Sequence, residues 1–301
     1  MYENLSNDLR EKVAYDSREQ PLYVRHSTLS QYGPNMAALC HWHEDVEFLS
    51  IIRGYMEYHV NGTVYHLEEG NGIFVNSRQL HFGCSADRTD CEFLCILLNP
   101  LLLSSSMRIE RRYIAPLTSN RFFPCTPLNR DHVWQSEILD CLRQIWTVYA
   151  AAGDAFEMEL QILFYHIWIS LWRNMPENGG GSDRAAQDRA ALLEMLRYLQ
   201  GHFTEKIPIS ALSAAGGVSQ SKCFQLFREC AGCTPSEYLT EYRLRESCRL
   251  LEETDLSMTE IAGQVGFNGS SYYAERFRQY FGCTPGSYRK ARAEHQTSET
   301  M

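Results

Sequence analysis

Between about Leu39 and Leu98 the chain alternates apolar and polar residues in short runs broken by tight turns, the period of half-buried strands. The clearest pair is EYHV-NG-TVYHL, where Asn61 and Gly62 supply the two positive-φ positions that a type I′ hairpin turn demands. Val46 to Ile52, Gly72 to Val75 and Glu92 to Leu98 read the same way, so this region predicts a small antiparallel barrel or jelly roll. Beyond about Asn129 the period changes. Val133, Ile138, Leu142, Ile145, Trp146 and Tyr149 recur at helical spacing, Ala151-Ala-Gly-Asp154 interrupts them, and Phe156 to Trp172 predicts a second helix rich in large apolar residues. That hairpin has more apolar surface than one barrel edge covers. It is buried either across its own barrel or against a second copy of the chain, which makes it the candidate seam of a homodimer.

Residues 174–188, NMPENGGGSDRAAQD, set three consecutive glycines among polar residues and predict a flexible linker. Past it lies an internal repeat. FRECAGCTPSEY from Phe227 and FRQYFGCTPGSY from Phe277 share seven of twelve residues at an offset of 50, so one helical unit is used twice. In the first copy Ile209 to Ala215 is a short helix, Gly216-Gly-Val a turn, and Ser219 the N-cap of a helix running to about Cys230. In the second, Ser257 and Glu260 form a capping box, Val265-Gly-Phe-Asn is the turn, and Ser270 to Phe281 the second helix. These are two helix-turn-helix units, each with a second helix suited to a DNA major groove. A long helix from about Pro235 to Glu252 joins them; it spans about 27 Å, near the roughly 34 Å between successive major-groove segments on one face of DNA. The expected architecture is α+β: a sheet-rich domain with its helical hairpin over 1–173, the linker, an all-α domain over 189–292, and a disordered tail over 293–301.

Composition modifies this picture in three places. The net charge of −9 argues against nucleic acid, but residues 1–189 hold 16 Lys+Arg against 24 Asp+Glu while residues 190–301 hold 12 against 13, so the excess acid belongs to the first domain. The second domain is near neutral, and its DNA binding rests on pattern rather than bulk charge. Eleven cysteines, an odd number at irregular spacing, predict reduced and mostly buried thiols; Cys230-Ala-Gly-Cys233 and the pair Cys91 and Cys95 are read as packing. The N-terminus is polar and no run approaches the roughly 18 apolar residues of a membrane span, so a cytoplasmic protein with no membrane partner is expected.

The segments ISALSAAGGVSQSKCFQLFRECAGCTPSEYLTEYRLRESCRLL and LSMTEIAGQVGFNGSSYYAERFRQYFGCTPGSYRK resemble the DNA-binding region of the AraC-type transcription regulators over about a hundred residues, above all in EIAGQVGF and YFGCTPGSYR. The resemblance implies binding of double-stranded DNA, control of transcription and, for an activator, contact with RNA polymerase. Helical spacing buries Cys223, Leu226, Phe227 and Cys230 and turns Gln220, Ser221, Phe224, Gln225 and Arg228 outward. In AraC-like proteins the positions matching Ser221, Phe224 and Gln225 touch bases. A glutamine suits adenine and an aromatic only a thymine methyl or another apolar surface, and packing against the joining helix competes for Phe224. The second copy offers Ser270, Ser271, Ala274 and Glu275, with Tyr273 and Phe277 buried, and so positions more than it specifies. Lys222, Arg228, Arg276 and Arg278 are the candidate phosphate contacts, or else solvated charges. So few cations predict modest monomer affinity and a strong dependence on dimerisation.

The first domain resembles the cupin barrel, which AraC-type regulators often carry as a sensor. His41-x-His43, Glu47 and Gly54 reproduce the first cupin motif from its first histidine onward, and Gly70 with His81 approximates the second. Asn35, Asn76 and Arg78 stand where those motifs have Gly, Pro and Gly. His41, His43, Glu47 and His81 are the candidate ligand-binding residues. Three imidazoles and a carboxylate suit a divalent transition metal, and a continuous strand would place 41, 43 and 47 on one side; direct hydrogen bonding of a sugar-like effector, or plain satisfaction of the histidines within the barrel, are the alternative uses. By alternation Tyr55, Tyr58, Tyr65 and His66 are pocket residues or ordinary core. The function expected is a small-molecule-controlled, dimeric transcription regulator, with the N-terminal arm, residues 1–20, as a switch element or a disordered one. A metal-dependent cupin dioxygenase or isomerase with an accessory DNA-binding module is the competing class, and no separate catalytic acid, base or nucleophile motif accompanies the cluster.

Overall fold

The structure is a computed structural model and describes residues 9–17, 19–32, 36–120, 122–176 and 183–291. The start of the arm, Asn35, the glycine run at 179–181 and the tail from 293 lie outside the described residues. Contacts divide the chain into two compact units, one ending at Ala185 and one beginning at Ala186.

Among the described residues the first unit holds eight strands: β1 (Leu22–Thr28), β2 (Val46–Arg53), β3 (Tyr55–Val60), β4 (Thr63–Glu68), β5 (Gly72–Val75), β6 (His81–Cys84), β7 (Glu92–Leu98) and β8 (Cys125–Leu128). They form two antiparallel sheets, ordered β1-β7-β2-β5-β8 and β4-β3-β6. The hairpin joining β3 to β4 turns at Asn61 (φ 50°) and Gly62 (φ 86°), as a type I′ turn requires. Leu49, Ile51, Ile73, Val75 and Phe93 from the larger sheet meet Met56, Tyr58, Val60 and Leu67 from the smaller one in a shared interior. Strands β1, β6 and β8 were not evident in the sequence pattern. Strand β1 follows its three apolar residues with the polar run Arg25 to Thr28, β6 is only four residues long, and β8 carries Pro127, which is tolerated because β8 is an edge strand.

Short helices α1 (Met107–Ile109) and α2 (Ala115–Thr118) flank a π-helical turn at Glu110–Ile114, and the long helices α3 (Val133–Ala151) and α4 (Phe156–Asn174) follow. Ala152 and Ala155, both left-handed at φ 44° and 63°, turn the chain between the long pair. Their inner faces, including Ile138, Leu142, Ile145, Phe164, Ile167 and Trp168, pack with Val46, Phe48, Phe74, Leu94, Ile96 and Leu98 on the back of the larger sheet. Strand β2 is therefore covered on both faces. Val46 and Phe48 meet the helices while Glu47, Leu49 and Ile51 alternate away, which explains its six consecutive buried residues. Glu47 enters the interior by that alternation.

The second unit is helical: α5 (Asp183–Gly201), α6 (Ile209–Ala215), α7 (Gln220–Ala231), α8 (Pro235–Glu253), α9 (Met258–Gln264) and α10 (Ser270–Phe281). Helix α5 starts inside the stretch expected to be linker, because DRAAQDRA is composed largely of good helix formers. The caps stand where the sequence sets them. Ser219 Oγ accepts from the Lys222 amide, Thr234 with Glu237 and Ser257 with Glu260 close capping boxes, and α7 and α10 end in left-handed Gly232 and Gly282. Phe227 and Phe277, equivalent in the repeat, are both fully buried. All eleven cysteines are free thiols, but only Cys40, Cys91, Cys223 and Cys230 are buried, the rest being half-buried. The thiols are thus less enclosed than expected.

Candidate functional site

His41, His43, Glu47 and His81 come together, their ligating atoms all within 4.8 Å of one another and all but His41 buried. The strand expected to carry three of them is not continuous, since β2 begins only at Val46. A short backbone bridge assembles the cluster instead: the His41 amide donates to the His81 carbonyl at 3.1 Å and the His81 amide to the His41 carbonyl at 2.9 Å. Each ring is then set by its own Nδ1, which faces a backbone carbonyl: Leu39 at 2.7 Å for His41, Asp45 at 3.0 Å for His43 and Gln79 at 2.8 Å for His81. A carbonyl only accepts, so all three Nδ1 atoms carry the proton, and in the neutral rings all three Nε2 atoms present lone pairs.

Those lone pairs converge on carboxylates. Glu47 Oε2 lies 3.4 Å from His43 Nε2 and 3.0 Å from His81 Nε2, and Glu47 Oε1 accepts from the Tyr58 hydroxyl at 2.6 Å. The His81 nitrogen, although close, makes no hydrogen bond among the described residues. Burial pushes the Glu47 carboxyl up, but the neighbouring His81 and His43 outweigh it and hold the group well below its usual range. Burial, then His81, lowers His41. Burial and Glu47 raise both Tyr58 and the Cys95 thiol well above their usual values, so each stays protonated beside the carboxylate. Bare imidazole nitrogens facing a buried carboxylate are satisfied by a proton or by a cation among them, and ring nitrogens anchored to carbonyls on the far side are the usual support of a metal site. The donor set therefore fits a divalent transition metal.

The residues that depart from the cupin motifs have structural work of their own. Asn76 is buried and donates to the carbonyls of Leu117 and Phe123 at 2.8 and 2.9 Å while accepting from the Ser77 amide, tying the loop before β6 to α2 and to the segment before β8. Arg78 takes the left-handed backbone (φ 63°) that a glycine would favour, and its guanidinium binds Glu44 at 2.6 Å. Of the four aromatic or histidine residues placed by alternation, Tyr58 and Tyr65 pack with the interior, while Tyr55 shares the outward parity of Glu57 and His66 is 70% exposed. Reasoning from the sequence missed Glu11. Backbone bonds from the Glu11 amide to the Trp42 carbonyl (2.8 Å) and from the Trp42 amide to the Leu9 carbonyl (2.9 Å) dock the arm, and Glu11 Oε2 reaches 3.2 Å from His41 Nε2. No local motif marks it, because the contact spans thirty residues of chain.

On α7, Cys223, Leu226, Phe227 and Cys230 are buried, and Gln220, Ser221, Phe224, Gln225 and Arg228 are exposed. Phe224 is 42% exposed, so it does not pack away against α8. The Gln225 amide donates to Glu229 at 2.7 Å. On α10, Ser271, Glu275 and Arg278 are exposed, Ser270 and Ala274 half-buried, and Tyr273 and Phe277 buried. Two of the expected phosphate contacts are engaged elsewhere. Lys222 Nζ is bonded to Asp188 on α5 at 2.8 Å, and Arg276 stands at the repeat position of buried Leu226, its Nε buried and its charge felt by Glu237 and Glu241 of α8. Tyr272, 55% exposed on the first turn of α10, is a side chain on this face that the spacing argument passed over.

The model of the AraC-like ligand binding domain matches residues 29–168, and a helix-turn-helix domain model matches residues 212–291. The chain belongs to the AraC-type regulators. Similar AraC-type and other helix-turn-helix proteins include the transcriptional regulator YdeC of Bacillus subtilis, 27% identical over 292 residues, covering 95% of this chain and 97% of that one. The transcriptional activator RhaS of Salmonella arizonae is 26% identical over 261 residues, covering 85% and 89%. Among solved structures, ToxT of Vibrio cholerae O395 aligns over 89% of this chain and 96% of its own at 14% identity with a TM-score of 0.39. The relatives are regulators, so the metalloenzyme alternative is set aside and the barrel of this AraC-type protein is a ligand-binding domain. No helix among the described residues is long and apolar enough to cross a membrane.

Proposed function

We propose that this AraC-type protein is a cytoplasmic homodimer whose DNA binding answers to a small hydroxylated molecule of the sugar class, held in the barrel by His41, His43, Glu47 and His81. The gathering of three histidines around the buried Glu47 carboxylate, with the Nε2 atoms of His43 and His81 facing it at 3.4 and 3.0 Å, carries this proposal. A divalent transition metal held by those four residues would supply a Lewis-acid docking point for ligand oxygens. The protein's own part is to fix the rings through their Nδ1 bonds, to keep Tyr58 as a protonated donor, and to surround the site with apolar wall. Effector and output are linked because a ligand acts only through its different affinity for two arrangements of the protein.

The DNA side is assigned to α7 and α10. Ser221, Phe224 and Gln225 meet base edges, and Gln220, Arg228 and Arg278 meet the backbone; Ser270, Ser271, Ala274 and Glu275 line the second helix, which chiefly sets register. Lys222 joins them only by leaving Asp188. For the dimer, Met158, Ile162 and Ile169 expose 70%, 61% and 44% of their surface along one side of α4, an apolar stripe that a second copy would cover. Contact with RNA polymerase follows if the regulator activates.

The decisive measurement is thermal-shift titration of full-length protein with monosaccharides and polyols, with and without added Mn²⁺, Fe²⁺, Ni²⁺ or Zn²⁺. Stabilisation by one sugar class that Glu47→Ala abolishes is the expected result. No shift from any sugar in either condition would sink the effector class, and metal-independent shifts would remove the metal from the scheme.

A further inference from the structure

A second cluster lies on the other face of the small sheet. Along β3, Met56, Tyr58 and Val60 point inward, so Tyr55, Glu57 and His59 point outward. The register places Glu57 directly opposite Cys84 on β6 and opposite His66 on β4, a row of three side chains across three strands, with His59 two residues further on the same face. The ligating atoms of Glu57, His59 and Cys84 lie within 4.8 Å of one another. Cys84 Sγ is 3.6 Å from His59 Nε2, that nitrogen is 4.0 Å from Glu57 Oε2, and Glu57 Oε1 is 3.9 Å from His66 Nδ1.

We propose that Glu57, His59 and Cys84 form a separate binding site for a thiophilic divalent cation of the zinc class. Zinc takes sulfur at about 2.3 Å and imidazole nitrogen at about 2.0 Å, so a tetrahedral site sets sulfur and nitrogen about 3.6 Å apart and nitrogen and oxygen about 3.3 Å apart. The sulfur-to-nitrogen edge is already at that length, and the Glu57 carboxylate has only a fraction of an ångström to close. The ring is held for the purpose: His59 stacks on Phe82, its cross-strand neighbour, at 4.2 Å between centroids and 10° between planes. A thiolate beside an imidazole selects softer ions, whereas the interior set of three imidazoles and a carboxylate has no sulfur among its four members. The two sites share strands. Tyr58, between Glu57 and His59, donates to Glu47 inside, and β6 starts at His81 and ends at Cys84, so an ion on the outer face would clasp the strands that carry two interior groups.

The test is titration of full-length, fully reduced protein with Co²⁺ as a spectroscopic stand-in for zinc. Wild type is expected to develop a thiolate-to-cobalt charge-transfer absorption at one equivalent, displaced by Zn²⁺. Cys84→Ser is expected to lose that absorption while keeping its melting transition, His59→Ala to weaken Zn²⁺ binding about tenfold or more, and Cys95→Ser, which alters the thiol beside Glu47, to leave the absorption in place. Persistence of the absorption in Cys84→Ser, or its absence from wild type, overturns the proposal. The interior site is read separately, since Glu47→Ala disables it and leaves the outer ligands intact.

Discussion

A Cβ on Gly266 would lie 2.8 Å from the carbonyl oxygens of both Phe203 and Thr204, and the residue already holds a φ of 86°. Gly282, at φ 75°, has nothing within 4 Å of the same position. The two glycines therefore separate backbone strain from close approach. Gly282→Ala is expected to destabilise the helical unit by about 1 kcal/mol, the left-handed penalty alone, and Gly266→Ala by about 3 kcal/mol or more. Native-state hydrogen exchange of the α10 amides reads this unit by itself; equal losses in the two variants would show that the turn at Gly266 has room to move. At this scale the histidines and Glu47 were legible because a metal-like spacing lies in the local sequence. Glu11 and Asn76 were not, since each acts through partners thirty or more residues away and nothing beside it in the chain marks the contact.

The recognition helices illustrate what a repeat reveals and what it hides. Caps, turns and the buried stripe of α7 follow from residue type at fixed offsets, and the structure places them as the sequence implies. The direction of a cation does not follow. Arg276 shares a residue type with Arg278, yet its repeat position is a core one, while Arg278 is exposed. Three substitutions distinguish the roles. Arg228→Ala should weaken binding to all sequences alike and reduce the salt slope by about 1, Gln225→Ala should relax preference at one position with a cost of about 1–3 kcal/mol, and Arg276→Ala should leave the salt slope unchanged. Fluorescence anisotropy against operator and scrambled duplexes at several salt concentrations measures all three, and a lowered slope in Arg276→Ala would return that side chain to the phosphate backbone. Strands β1 and β8 were hidden for a different reason: edge strands need only one apolar face, so their polar residues dilute the alternation.

For the whole molecule, association is the property that the single chain poses most directly. The exposed Met158, Ile162 and Ile169 stripe is an apolar surface without a polar purpose, whereas the opposite side of α4 is spent on the sheet. Ile162→Glu is expected to shift the protein to monomer in sedimentation velocity and to lower operator affinity at least tenfold, because one chain then has to bind without the avidity of two. A dimer of unchanged stability would move the seam to another surface. The division into a sheet-rich and a helical half was legible throughout, being written in the change of hydrophobic period; the start of α5 was not, because its helix-forming residues follow directly on the glycines. The bond between Lys222 and Asp188 also bears on how such a regulator searches a chromosome. A chromosome offers on the order of a million or more competing non-target sites, and each free cation on the reading surface prolongs the stay at every one of them. On the reading surface proposed above, holding Lys222 on Asp188 leaves one cation fewer and is expected to shorten the stay at wrong addresses.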